Sequence, residues 1–155
     1  MDSNEVASAF QNDSLGSDDA VGIADKIKKG ELSASLVTQD AIERAKAVNP
    51  KLNAITVENF DLAQTNSEKP FSGFFQGVPT FIKDTDEVPG LPLYLGSRSL
   101  PGEPSDKYSK AAKQIIDTGL NCLGTTTTPE FGLTGTTESL RFGATCNPWN
   151  TAYST

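Results

Sequence analysis

The apolar positions of this 155-residue chain fall into blocks of helical and strand period, separated by Gly- and Pro-rich punctuation. Val21, Ala24 and Ile27 recur at helical spacing within 18–29. Ser17 stands at the cap position, Asp18 and Asp19 fill the first turn, and Lys26, Lys28, Lys29 and Gly30 close the segment. A second helix is predicted over 34–48, with Ser33 as cap, Val37, Ala41, Ala45 and Val48 as its stripe, and Asn49-Pro50 as its stop. Only Gly30-Glu31-Leu32 joins the two, so they form a helical hairpin. The first 17 residues are Ser-, Asp- and Asn-rich without period and read as a mobile polar leader ahead of a single unit over 18–155.

Strand period follows. Asn53 to Glu58 alternates and is β-branched at Ile55, Thr56 and Val57; Asp61 to Ser67 suits another short helix. The Pro70–Gly77 loop carries Phe71, Phe74 and Phe75, read as packing residues. Val78 to Ile82 reads as a strand entering a turn at Lys83-Asp84, and Val88 to Pro104 as ordered loop. Over 106–118, Tyr108, Ala111, Ala112, Ile115 and Ile116 fit one helical face, with Gly119 ending it and Leu120 to Leu123 a buried strand. A helix between two apolar strands predicts a β-α-β crossover in a parallel or mixed sheet, hence an α/β fold.

Composition narrows the chemistry. The chain has no histidine, which excludes a Ser-His-Asp triad, a Cys-His dyad and histidine-ligated zinc. Proton transfer near neutral pH then falls to a Lys, Asp, Glu, Tyr or Cys, with lysine the usual substitute base for a hydroxyl nucleophile. A formal charge of −7 argues against nucleic-acid or anionic-membrane partners. The acidic start Met1-Asp2-Ser3-Asn4-Glu5 resembles no secretory leader, and no apolar run suffices for a membrane span, so a cytoplasmic location is expected. Cys122 and Cys146 read as reduced, buried thiols. No cofactor and no metal site is expected.

Four segments are candidates for chemistry. In Gly77-Val78-Pro79-Thr80-Phe81-Ile82-Lys83-Asp84, alternation places Val78, Thr80 and Ile82 on one face and Phe81 and Lys83 on the other. A lysine closing an apolar strand can be drawn inward, where desolvation favours the neutral amine; the ordinary alternative is a solvated strand-end lysine beside a turn aspartate. Asp84, Asp86 and Glu87 form an acidic trio read as a solvated turn, since the spacing matches no calcium loop. The threonine-rich run Gly124-Thr125-Thr126-Thr127-Thr128-Pro129-Glu130-Phe131-Gly132 follows a predicted strand, where α/β proteins place active-site loops, but a threonine run alone is usually filling. Gly143-Ala144-Thr145-Cys146-Asn147-Pro148-Trp149-Asn150 makes a rigid turn with Trp149 as a packing aromatic.

Together, and in this order, these pieces resemble the amidase signature family: Gly-Val-Pro-x-x-Ile-Lys-Asp at 77–84, Gly96-Ser97, the 106–118 helix with its strand, Thr128-Pro129-Glu130-Phe131-Gly132, and Asn147-Pro148-Trp149-Asn150. The resemblance implies the N-terminal part of that fold, a helical hairpin followed by strands of a mixed sheet with flanking helices. It implies a Ser-cisSer-Lys mechanism, in which a serine attacks an amide carbonyl, a second serine relays the proton and a lysine is the final base. Lys83 falls on that lysine, and Leu133, Thr134 and Gly135 fall beside the substrate carbonyl. The hydrolase reading expects the Lys83 amine to be sequestered and aimed at a hydroxyl supplied beyond Thr155.

Two departures stand out. Gly124-Thr125-Thr126 replaces the Gly-Lys-Thr of many members, and the Gly-Gly-Ser-Ser-Gly-Gly-Ser stretch that holds the relay serine, with the nucleophile after it, is not within these residues. Ser154 lacks that glycine frame and is assigned no role. The expectation is thus an amidase fragment, inactive by itself and poorly folded alone, whose parent acts on a small-molecule amide. The alternatives are the A-type subunit of a glutamyl-tRNA amidotransferase and a non-catalytic truncated product or interaction fragment.

Overall fold

The computed structural model describes residues 6–155, so the first five residues of the expected leader lie outside the described part. Helix α1 spans Ala20–Lys28. Its cap is Asp19 rather than Ser17, since the Asp19 carboxylate accepts the Gly22 amide at 2.8 Å. The buried face is Ile23 and Ala24, while Val21 is exposed, so the stripe is rotated from the one predicted. Helix α2 spans Ala34–Leu52, capped by Ser33 as expected. It runs through Pro50, the predicted stop. Proline so near the end forfeits one backbone bond, and termination falls instead to Asn53 in the left-handed region (φ 50°), which donates its amide to Asn49 O at 2.7 Å. The Asn49 side chain then accepts the amides of Ala54 and Ile55 at 2.8 and 3.0 Å and leads the chain into the first strand.

The predicted mixed sheet is present. It comprises β1 (Ile55–Glu58), β2 (Pro79–Lys83) and β3 (Asn121–Thr126) in the order β1-β3-β2. β1 runs antiparallel to β3, with Val57 opposite Thr125, and β2 runs parallel to it, with Lys83 opposite Thr126. Helix α3 (Phe60–Ser67) follows β1, and α4 (Lys110–Ile116) makes the crossover between the parallel strands. α4 is shorter than its periodicity suggested. Ser109 caps it, Tyr108 precedes it while still packing into the same cluster, and Ala111 and Ile115 are exposed.

Successive residues of the strands feed opposite layers. Phe81 and Leu123 pack with Ile42, Ala45, Phe60 and Ala63 of α2 and α3. Ile82 and Cys122 join Val88, Leu91, Ala112 and Ile116 on the α4 side. A third cluster, Ile23, Ala24, Val37 and Val78, seats the helical hairpin on the start of β2. Of the loop aromatics, Phe75 packs there, whereas Phe74 is exposed and rests edge-on against it.

The acidic stretch before α1 makes defined contacts. Asp13 takes a two-pronged grip from Arg44 of α2, at 2.7 and 2.5 Å, and the guanidinium holds its carboxyl below the usual carboxylate range. The Ala7 amide donates to Pro148 O at 2.8 Å. After β3 come two small hairpins, β4 (Glu138–Ser139) with β5 (Gly143–Ala144) and β6 (Cys146–Asn147) with β7 (Asn150–Ser154). The Asn147–Asn150 turn forms as expected, but Trp149 at its tip is 81% exposed and anchors nothing in the core. Cys122 and Cys146 are free and half-buried. No helix among the described residues is long and apolar enough to cross a membrane.

Candidate active site

The parallel pair β2 and β3 delivers its carboxyl ends to one edge of the sheet, the usual place for chemistry in α/β proteins. Lys83 is the last residue of β2 and is exposed. The sequestration expected of its amine is not supplied by these residues, because β2 ends there and no other described element covers it. No carboxylate of the described residues pairs with it.

Its neighbour behaves oppositely. Asp84, expected in a solvated acidic turn, is fully buried. Its amide donates to Thr126 O at 2.9 Å, extending the β2–β3 ladder by one bond. Its two carboxylate oxygens accept separate backbone amides, Tyr94 at 2.9 Å and Gly96 at 3.1 Å. Burial raises its carboxyl above the ordinary range, against the pull of the Tyr94, Gly96 and Leu95 amides and of the Arg141 charge. Leu95 and Gly96 both lie at positive φ (49° and 64°), which turns the amides of this stretch toward one anion. Gly96 is required here for a second reason: a Cβ would stand 2.6 Å from Thr128 O.

The rest of the trio diverges as well. Asp86 accepts the Ser109 hydroxyl at 2.5 Å beside the start of α4, and the Glu87 carbonyl accepts the Ser109 amide at 3.1 Å. No cluster of three or more metal-ligating side chains occurs among the described residues.

Beyond the turn, Ser97 is almost fully buried, and its hydroxyl donates to Glu130 Oε1 at 2.5 Å. The Phe131 amide donates to Leu95 O at 2.8 Å. Arg141 donates to Ser97 O and Leu100 O, both at 3.0 Å, and lays its guanidinium over Tyr94, 3.9 Å from the ring centroid. Of the threonine run, Thr125 and Thr126 belong to β3 and Thr127 bonds Thr145 Oγ1 at 2.7 Å. The hydroxyls of Thr125 and Thr128 are buried without a hydrogen-bond partner among the described residues.

Leu133, Thr134 and Gly135 follow the 3-10 turn Glu130–Gly132 and are all exposed, Leu133 at 81%. Among the described residues no hydrogen bond or ion pair links Lys83 to this triplet; the hydrogen-bonded route between them runs through Asp84, the 94–97 turn and Glu130. Sequence reasoning singled out Lys83 and Gly96-Ser97 and quoted Asp84 and Glu130 as motif residues without giving them a role, and it missed Arg141; the contacts of these three span 10 to 44 positions. The legible trace was an acid placed immediately after a strand.

The family model for amidases matches residues 36–155, and the chain belongs to the amidase family. A Mycobacterium leprae relative carrying the amidase name AmiC is 41% identical over 145 residues, which is 94% of this chain and 31% of that protein. The A-type subunit of a glutamyl-tRNA(Gln) amidotransferase from Prochlorococcus marinus is 31% identical over 133 residues, 81% of this chain and 27% of that one. Among solved structures, 6-aminohexanoate cyclic dimer hydrolase complexed with substrate superposes with a TM-score of 0.82 at 34% identity, over 88% of this chain and 29% of that one. The amidase-signature fold expected from the motifs is the fold observed. The chain spans about a third of the length of the relatives it matches.

Proposed function

We propose that these residues are the N-terminal third of an amide hydrolase in which Lys83 is the general base of a Ser-cisSer-Lys set. The relay and nucleophilic serines would come from the segment after residue 155. The observation that carries the reading is the amidase family match, with Lys83 standing at the carboxyl end of the parallel pair β2 and β3. In this mechanism the neutral amine takes the proton of the attacking hydroxyl through the relay serine, and the ammonium formed stabilises the developing oxyanion. Water is excluded only when the remainder of the domain closes over the exposed Lys83, and Leu133, Thr134 and Gly135 then line the acyl side of the substrate. The substrate is a small carboxylic amide, the location cytoplasmic, and the 155 residues alone are inactive, because acyl transfer needs the missing nucleophile and oxyanion donors.

The test is hydrolysis of a panel of amides (primary carboxamides, p-nitroacetanilide and the 6-aminohexanoate cyclic dimer) by the protein encoded by the completed gene. Lys83→Ala is expected to lower kcat by about 10³-fold or more. Near-normal hydrolysis by that variant refutes the role. The amidotransferase reading is supported by the similarity to the A-type amidotransferase chain, although the 41% identity to an amidase exceeds it. Partner subunits co-purifying with the full-length protein would favour it. A reading frame that closes at Thr155, with no Gly-Gly-Ser-Ser stretch downstream, would favour a non-catalytic fragment.

A further inference from the structure

The geometry points to Asp84 as a positioning residue: its buried carboxylate bolts the Tyr94–Ser97 turn across the carboxyl ends of β2 and β3, and so sets where Lys83 stands relative to the 128–135 segment. The inference rests on the proposed hydrolase reading with Lys83 as base. Its burial and its hydrogen bonds carry it. Asp84 is fully buried, yet among the described residues no cation donates to it; its hydrogen bonds come from backbone amides. A buried anion held this way is costly compared with a solvated one, and removing its oxygens would leave the Tyr94 and Gly96 amides without acceptors. Its own amide bonds Thr126 O, so it cannot shift without moving the end of β2, where Lys83 is the adjacent residue.

The turn it holds passes the constraint onward. Ser97 donates to Glu130 at 2.5 Å, the Phe131 amide donates to Leu95 O at 2.8 Å, and the approach at Gly96 is too close for a Cβ. Glu130 and Phe131 lead directly into Leu133–Gly135. One carboxylate thus stands between the amine and the segment read as flanking the substrate, and a misplacement of about 1 Å between such groups can cost on the order of a hundredfold in rate.

Asp84→Asn tests this, because it keeps the volume but turns one acceptor oxygen into an NH2 group facing an amide N–H. In the protein encoded by the completed gene, assayed on whichever amide of the panel is hydrolysed fastest, kcat is expected to fall about 10- to 100-fold with KM within about twofold. Placed on Lys83→Ala, the same change should add no further loss to the residual rate, as two groups acting through one function require. Equal fractional loss in both backgrounds, a loss confined to KM, or no loss in either overturns the positioning role while leaving the hydrolase reading intact. Near-normal hydrolysis by Lys83→Ala alone sinks both. Should Asp84→Asn fail to fold, Ser97→Ala cuts the same strap at the Glu130 contact and is expected to lower kcat about 3- to 10-fold, again only when Lys83 is present.

Discussion

The sheet and the two hairpins that follow it are built by different forces. Up to Thr126, order comes from apolar burial: Leu123, Ala63, Val37, Ile82 and Ala112 are each at most 2% exposed, and three clusters account for the packing of every helix. From Phe131 onward order comes from polar ties. Thr137 donates to Thr155 O, Thr145 to Thr137 O and Arg141 to two loop carbonyls, while Leu133, Leu140, Trp149 and Tyr153 present at least two thirds of their surface to solvent. Apolar burial carries the first region, and polar ties to its neighbours carry the second.

The difference can be broken most severely at Leu123. Leu123→Ala empties the layer between the sheet and α2/α3 and is expected to cost about 3 kcal/mol, read as a roughly hundredfold loss of hydrogen-exchange protection at the Cys122–Thr125 amides. Next is Gly96→Ala, where a Cβ would meet Thr128 O at positive φ; about 2 kcal/mol is expected from the same measurement at 94–97. Trp149→Ser should change stability by less than about 0.5 kcal/mol, because nothing in the core loses a contact. The 155 residues alone are expected to melt broadly, with weak near-UV dichroism, their exposed apolar surface favouring association. A sharp, cooperative melt would contradict that.

Two acids withdrawn from solvent sharpen the comparison through pH. The Asp13 carboxyl is lowered by Arg44, so its contribution is complete above the ordinary value of 3.8 and is lost as pH falls through the lowered native value. Asp84 is raised by burial, so the native state binds the proton more tightly and stability falls as pH rises from 3.8 through the raised native value. In the protein encoded by the completed gene, urea midpoints across the acid range should decline less steeply at low pH in Asp13→Asn, and Asp84→Asn should remove the opposing contribution of that one carboxyl.

Much of the architecture is legible in the sequence. Ser33 as a cap, the hairpin of helices, the strand–helix–strand crossover and the mixed sheet follow from periodicity and punctuation, which are local properties of the chain. The misreadings share one cause. At Pro50, Val21, Phe74 and Trp149 residue type suggests one environment, and what packs nearby imposes another. At the site, Lys83 is visible as a strand-end lysine in a motif, but spacing leaves open whether its amine is sequestered or solvated, and the fold exposes it. Asp84 reads as a turn residue because its partners sit ten and twelve positions away.

The order of apolar and polar residues by itself determined the helices and strands up to Thr126 and their sequence along the chain, since each depends on spacing over a few turns or strands, while the quoted motifs carried the resemblance to the family. Only the folded arrangement decided which of two adjacent charged residues faces water and which is buried. Lys83 and Asp84 sit one peptide apart, but alternation at the end of β2 sends them into different surroundings, and the free energy of a charge is set by those surroundings rather than by its neighbours in sequence.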